Sequence, residues 1–282
     1  MITENLKRAL TMPSPSKTSF AAGSLPFKKM HSLQNDFVLL ETEQPVSPGL
    51  ITHMASRRTG VGCDQLLVIG PAAQSDVHAT VKIYNADGSE VEACGNGTRC
   101  VVWLLAQKYG LSSIVVETKA GLLKGQVTCA RDVEIMQGKP RFLTDEPLDL
   151  EAFGLQEGYA VDIGNPHLVV PLDADFDPSR FQYLGPRLES HAFFSNKANV
   201  EFVMIDEGCV RLWVWERGVG RTRACASGAS AAVFALLKEG LLQNTTTPVK
   251  LEGGEMWVTL KADGTITHRA EVNLVFDGTF SL

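Results

Sequence analysis

No apolar run in the 282 residues approaches the roughly 18 that a membrane-spanning helix needs, so no membrane association is expected. No cluster of Lys and Arg occurs either, and 26 basic against 32 acidic residues leave a formal charge of −6. A mildly acidic chain of this kind is a poor partner for nucleic-acid backbone or anionic lipid. Cysteine is sparse: the six, at 63, 94, 100, 129, 209 and 225, are too few for a disulfide framework. None form a C-x-x-C pair, which excludes thioredoxin-like redox chemistry and the common zinc ribbons, so no metal site is expected. The P-loop pattern is missing, and GVGCDQ (60–65) and GVGRTR (218–223) both lack the third glycine of a dinucleotide fingerprint. No nucleotide cofactor is expected. A reducing cytoplasm is the default location.

What is present is ordinary globular material, 44% apolar and 21% charged, in a length that suits about two domains. Residues 1–26 lack the apolar core of a secretory signal and are rich in Ser, Thr, Pro and Ala. They read as a poorly ordered N-terminal extension, with organelle targeting left open.

From Phe27 onward short β-branched or aromatic runs alternate with turn residues. The runs at 36–41, 65–70, 80–85, 113–118, 160–164, 167–172, 199–205, 210–216, 255–260 and 270–276 read as strands. Two segments, 98–110 and 230–240, read as long buried helices, each ending in glycine. The fold class is therefore α+β. The two helices are introduced alike: ACGNGTRCVVWLLAQK (93–108) aligns without a gap on ACASGASAAVFALLKE (224–239). Asn85 and Glu216 stand nine residues before Cys94 and Cys225, and QNDFVLL (34–40) resembles GNPHLVV (164–170). The chain reads as a tandem duplication of one unit around a central helix.

A cysteine at a helix start meets the positive end of the dipole and unpaired backbone N–H groups, which favours the thiolate. The small residues that follow, Gly95-Asn96-Gly97 and Ala226-Ser227-Gly228, let the same amides approach a carboxylate. Two such thiols, one ionised and one protonated, on opposite faces of a carbon make a base and an acid for inverting a stereocentre. The helix N-termini would stabilise the carbanion as charge spreads onto its carboxylate. No cofactor is needed for this chemistry.

The segments KMHSLQNDFV, GVGCDQLLVI, NADGSEVEACGNGTRC, GNPHLVV, NVEFV and WERGVGRTRACASGASAA resemble, in order, those of the diaminopimelate epimerase family. The resemblance implies two pseudo-symmetric α/β domains, each a mixed or antiparallel sheet wrapped around a central helix. It places 27–120 with 265–282 in the first domain and 121–264 in the second. It implies Cys94 and Cys225 as the acid/base pair, with Gly95, Asn96, Ala226 and Ser227 giving amides to the reacting carboxylate. Asn85, Asn165, Asn199, Glu216 and Arg217 would hold the distant amino and carboxyl groups, and Asn35 and Gln65 would line the site. The implied activity is cofactor-independent epimerisation of LL- and meso-diaminopimelate, for lysine and peptidoglycan precursors. Other readings are another cofactor-free amino-acid racemase, or a catalytically dead amino-acid-binding homologue. A homodimer is the base-rate expectation.

Three departures from the family pattern fall near the site. Ser32-Leu33-Gln34 replaces Gly-x-Gly, Arg221 replaces an acid, and Ala226 replaces glycine. Arg221 would reverse a charge beside the thiolate. Cys63, Cys100, Cys129 and Cys209 read as packing residues, and His167 as either a shaping or a structural group. Asp36, Asp64 and Asp87 read as turn carboxylates that bond to nearby backbone.

Overall fold

A computed structural model describes residues 23–72 and 74–282. The N-terminal extension expected at 1–26 lies almost wholly outside them. The duplication is explicit in the strand pairing. Asn35–Glu41 runs parallel to Gln65–Gly70 in the first half, as Pro166–Pro171 does to Asn199–Asp206 in the second. Each then turns back antiparallel, into Ala79–Asn85 and Cys209–Glu216 respectively. A central helix carries the chain over to a parallel neighbour, Ser113–Thr118 or Thr246–Leu251. Two antiparallel strands complete each unit, Gly121–Cys129 with Asp132–Gly138 and Gly254–Leu260 with Ile266–Glu271. Those last strands pair with each other, Asp132–Gly138 against Ile266–Glu271, and so join the halves.

Four helices matter here: α1 (Pro48–Ala55), α2 (Gly95–Tyr109), α3 (Phe181–Glu189) and α4 (Ala226–Lys238). The central pair, α2 and α4, are buried on nearly all sides, and apart from Asn96, Thr98 and Arg99 in α2 and Ser230 in α4 their buried residues are apolar or glycine. Gly110 ends α2 in the left-handed conformation at φ 66°. The shorter α1 and α3 cover the opposite faces of the parallel strand pairs, with Ile51 and Met54 in one cluster and Phe181, Leu184 and Leu188 in the other. Those strands are covered on both faces, so they read as continuous apolar runs. Helix α3 carries Gly185 and Pro186, which hide it from a sequence reading. Gly185 is required there because a Cβ would lie 2.4 Å from the Trp215 ring.

The expected boundaries at 120 and 265 do not follow the cores. Val133 and Ile135 pack around α2, while Ile266 and Ala270 pack around α4. The chain returns to the first core only at Val272, and Asn273–Ser281 then pairs with Ser24–Ser32.

Candidate active site

Cys94 and Cys225 occupy equivalent places, the N-caps of α2 and α4. Each has extended backbone, and each thiol accepts from the amide three residues on, Gly97 or Gly228, at 3.4 Å. The amides before those remain without intrahelical partners. The two helix starts nearly touch. A Cβ on Gly95 would lie 2.8 Å from the Ala226 Cβ, so only glycine fits opposite an alanine. Asn96 crosses this junction, donating to the Ala224 carbonyl at 3.1 Å and to Asn35 Oδ1 at 3.3 Å. Asn35 Oδ1 also accepts from the Cys94 thiol at 3.9 Å, and the Asn35 amide donates to Asp64 at 2.9 Å.

A cleft of about 1730 Å³ opens between the halves. It brings together every candidate residue: both cysteines, Asn35, Gln65, Asn85, Gly95, Asn96, Asn165, Asn199, Glu216, Arg217, Ala226 and Ser227. On the first side Gln65 donates to Asn85 Oδ1 at 3.0 Å, which fixes both amide orientations. On the second, Asn199 accepts from the Arg217 amide at 3.0 Å and donates to the Pro166 carbonyl at 3.1 Å. Ser227 Oγ lies 3.3 Å from the Cys225 thiol. Thr222 donates to Glu216 at 2.5 Å. Among the described residues no group of three His, Cys, Asp or Glu side chains is placed to hold a metal.

The expectation that the helix starts lower the thiol pKa is overturned by burial, which outweighs the helix-start amides at both cysteines. Burial is the largest influence and pushes the Cys94 thiol up to about 11, against the pull of the Gly97 amide and the Arg99 charge. Cys225 is held well above the ordinary thiol value by burial and then by the carboxylates of Glu216 and Glu201. Burial raises Glu216 as well, with Glu201 adding to it.

The substitutions that departed from the family pattern are accommodated locally. Arg221 lines the same cleft as the thiols, and its charge is paired there with the Glu252 carboxylate. Leu33 and Gln34 stand at φ 54° and 61°, the left-handed region where glycine is at ease. In return Leu33 enters the second core and Gln34 accepts from Arg223, so the turn clasps the opposite half.

Sequence reasoning missed three buried polar groups here. Glu201 is fully buried and lies 2.8 Å from His167 Nδ1, while His167 Nε2 lies 3.1 Å from Asn165 Oδ1. Arg99, also fully buried, reaches Ser32 and His268. A charge inside an otherwise apolar strand (NVEFVMI) or helix (TRCVVWLL) was the available signal. Asp36 and Asp64 do bond to backbone, each accepting from the other's amide, but they also share Arg57. Asp36 further pairs with Lys29 at 2.5 Å. Asp87 accepts from the Ser89 amide and hydroxyl, as expected. Of the other cysteines, Cys63, Cys100 and Cys209 are buried as expected, whereas Cys129 is exposed at the end of its strand.

Comparison with known proteins extends this picture. The family model described as "Diaminopimelate epimerase" matches residues 27–143 and again 159–275, one match per half. The diaminopimelate epimerase of Phenylobacterium zucineum (strain HLK1) is 40% identical over 278 residues, covering 92% of this chain and 98% of that one. That of Sphingopyxis alaskensis is 39% identical over 269 residues, covering 89% and 96%. A hydroxyproline epimerase from Agrobacterium vitis, solved with bound trans-4-hydroxy-L-proline, shares the fold at a TM-score of 0.72. It is 16% identical and covers 93% of each chain.

Proposed function

The chain belongs to the diaminopimelate epimerase family, and from that premise we propose that it interconverts LL- and meso-diaminopimelate by moving the α-proton between Cys94 and Cys225. The observation that carries this reading is the matched pair of cysteine N-caps opening on one cleft. In the reaction one thiolate takes the α-proton, and the opposite thiol delivers its own proton to the other face. The product leaves with inverted configuration and the two cysteines exchange roles. The carbanion is delocalised into the α-carboxylate, which lies against the amides of Gly95, Asn96, Ala226 and Ser227.

Cys94 is the easier of the two to ionise: an amide offsets burial at each thiol, but Cys94 meets one carboxylate, Glu216, against the Arg99 charge, whereas Glu216 and Glu201 both push Cys225 up. Arg217 grips the distal carboxylate and Glu216 the distal ammonium, with Asn85, Asn165 and Asn199 as neutral partners. Asn35 and Gln65 border the first thiol. A cytoplasmic location, a homodimeric state and a role in lysine and peptidoglycan precursor synthesis belong to the same reading.

The test is proton exchange in D₂O. Reduced protein is incubated with LL-diaminopimelate and followed by NMR and by chiral analysis. Loss of the α-proton signal together with appearance of the meso isomer is the expected result. A reduced, folded protein that gives neither would overturn the assignment, and exchange on a different amino acid would move it to another racemase.

A further inference from the structure

Arg99 is the largest fully buried side chain among the described residues, and each of its hydrogen-bond partners is neutral. Its Nε donates to Ser32 Oγ at 3.0 Å, one terminal nitrogen to Asn96 Oδ1, and the other lies 2.6 Å from His268 Nδ1. A guanidinium has only donors, so His268 Nδ1 must accept and the ring proton must sit on Nε2. Burial, and then the Arg99 charge, hold the His268 pKa well below its ordinary value, so the ring stays neutral. His268 is 1% exposed, and its Nε2 has no hydrogen-bond partner. That N–H lies 3.0 Å from where a Cβ on Gly95 would be, beside Ala226. A buried donor without an acceptor is costly, as is a buried cation without an anion. Both point at the seam between the starts of α2 and α4.

We propose that Arg99 and His268 are positioning residues, a buried donor relay that carries positive potential to the seam between the two helix N-termini and so seats an anionic carboxylate there. They act at the start of α2, where His268 Nε2 faces the position a Gly95 side chain would take, next to Ala226. Asp132 acts on Arg99 only from a distance, and the carboxylate supplies negative charge on the side where all of its hydrogen-bond partners are neutral. The identity of that carboxylate as the α-carboxylate of diaminopimelate rests on the function proposed above; the relay itself does not.

Two variants and one spectrum test it. His268→Gln keeps an acceptor for Arg99 and a donor toward the seam, whereas His268→Leu keeps neither. His268→Leu is expected to raise KM for LL-diaminopimelate and lower kcat, each about tenfold, with His268→Gln within about threefold of wild type. Alkylation of Cys94 by iodoacetamide, followed by mass at fixed alkaline pH, is expected to slow about threefold or more in the leucine variant only, because the thiolate loses its supporting potential. Equal kinetics and equal alkylation in the two variants would overturn the relay. If wild type alkylates as described but turns over no diaminopimelate, the functional assignment fails and the relay stands. Should the leucine variant not fold, ¹⁵N NMR of the wild-type histidines decides. His268 protonated on Nε2 supports the relay, and protonation on Nδ1 overturns it.

Discussion

Glu201 holds in the second half the place that Leu67 holds in the first. Each lies two residues beyond the start of its parallel strand, Asn199 or Gln65, which are in register with His167 and Phe37. A Cβ on Gly97 would meet Leu67 and Phe37, whereas one on Gly228 would lie 2.6 Å from the Glu201 carboxylate. An apolar pair therefore supports the start of α2, and an ionisable pair supports the start of α4. The duplicated scaffold makes its two thiols electrostatically unequal.

Replacing Glu201 with Gln should expose that inequality. Its carboxylate is one of the groups that hold the Cys225 thiol protonated, so Glu201→Gln lowers the Cys225 pKa and speeds its alkylation at pH 8. Cys94 alkylation in the same sample serves as the internal reference. An unchanged ratio of the two rates would refute the asymmetry.

Serine at either cysteine removes an ionisable thiol without changing the cap geometry, since serine also caps helices well. Cys94→Ser and Cys225→Ser should each lose at least about 10³-fold in epimerisation while keeping the wild-type far-UV spectrum and melting temperature within a few degrees. Wild-type-like turnover in both variants would remove the two-base scheme.

Gly95→Ala asks whether the helix starts must nearly touch. The added methyl would meet the Ala226 Cβ at 2.8 Å and His268 Nε2 at 3.0 Å, both held by buried backbone. Overpacking of this kind costs about 1–3 kcal/mol, and epimerisation should fall about tenfold as the halves are wedged apart. Melting curves and chiral product analysis read the two effects separately.

Burial of thiols makes stability depend on alkaline pH with a definite sign. Cys94 and Cys63 ionise near 9.0 when free of the fold and are pushed up to about 11 within it. Below pH 9 both states keep the proton and the contribution is complete; between about 9 and 11 only the unfolded chain releases it, so stability falls as pH rises. Urea midpoints at pH 8 and pH 10.5 should show this decline, and it should be shallower in Cys63→Ala.

Glu207→Asn is a stabilising change. Asp206 and Cys209 are paired across the two-residue loop Glu207-Gly208, whose φ values are 50° and 77°. Asn-Gly is the preferred sequence for such a turn, so the exposed substitution should gain about 0.5–1 kcal/mol, roughly 2 °C in Tm. A lower Tm would refute the turn argument.

The expected architecture and the candidate residues come together in the structure because both depend on local patterns. The two Ala-Cys-x-x-Gly turns are visible as text, and a helix start following a strand leaves the cysteine little choice but to cap. Buried polar groups were harder to see. Arg99 and Glu201 lie inside otherwise apolar elements and His268 in a mixed strand, ITHRAE, and their partners come from distant parts of the chain, as with the 169-residue separation of Arg99 and His268. Likewise nothing in the sequence shows that Arg221 would find Glu252, or that desolvation would outweigh the helix-start amides at the two thiols.

The pairing of Ser24–Ser32 with Asn273–Ser281 bears on how the protein is made. Ser24–Ser32 lies between a strand close to it in sequence, Asn35–Glu41, and one more than 240 residues away. Until Asn273–Ser281 docks, Ser24–Ser32 has only Asn35–Glu41 beside it, and Val272 is not yet held in the core around α2. The core around α4 is drawn, apart from Leu33, from residues between 142 and 270, so the second half can consolidate without that docking. Folding then ends with a long-range strand docking, a step expected to be slow because closing so large a loop comes before its contacts. Removing residues 273–282 should therefore leave the N-terminal half open while sparing the other.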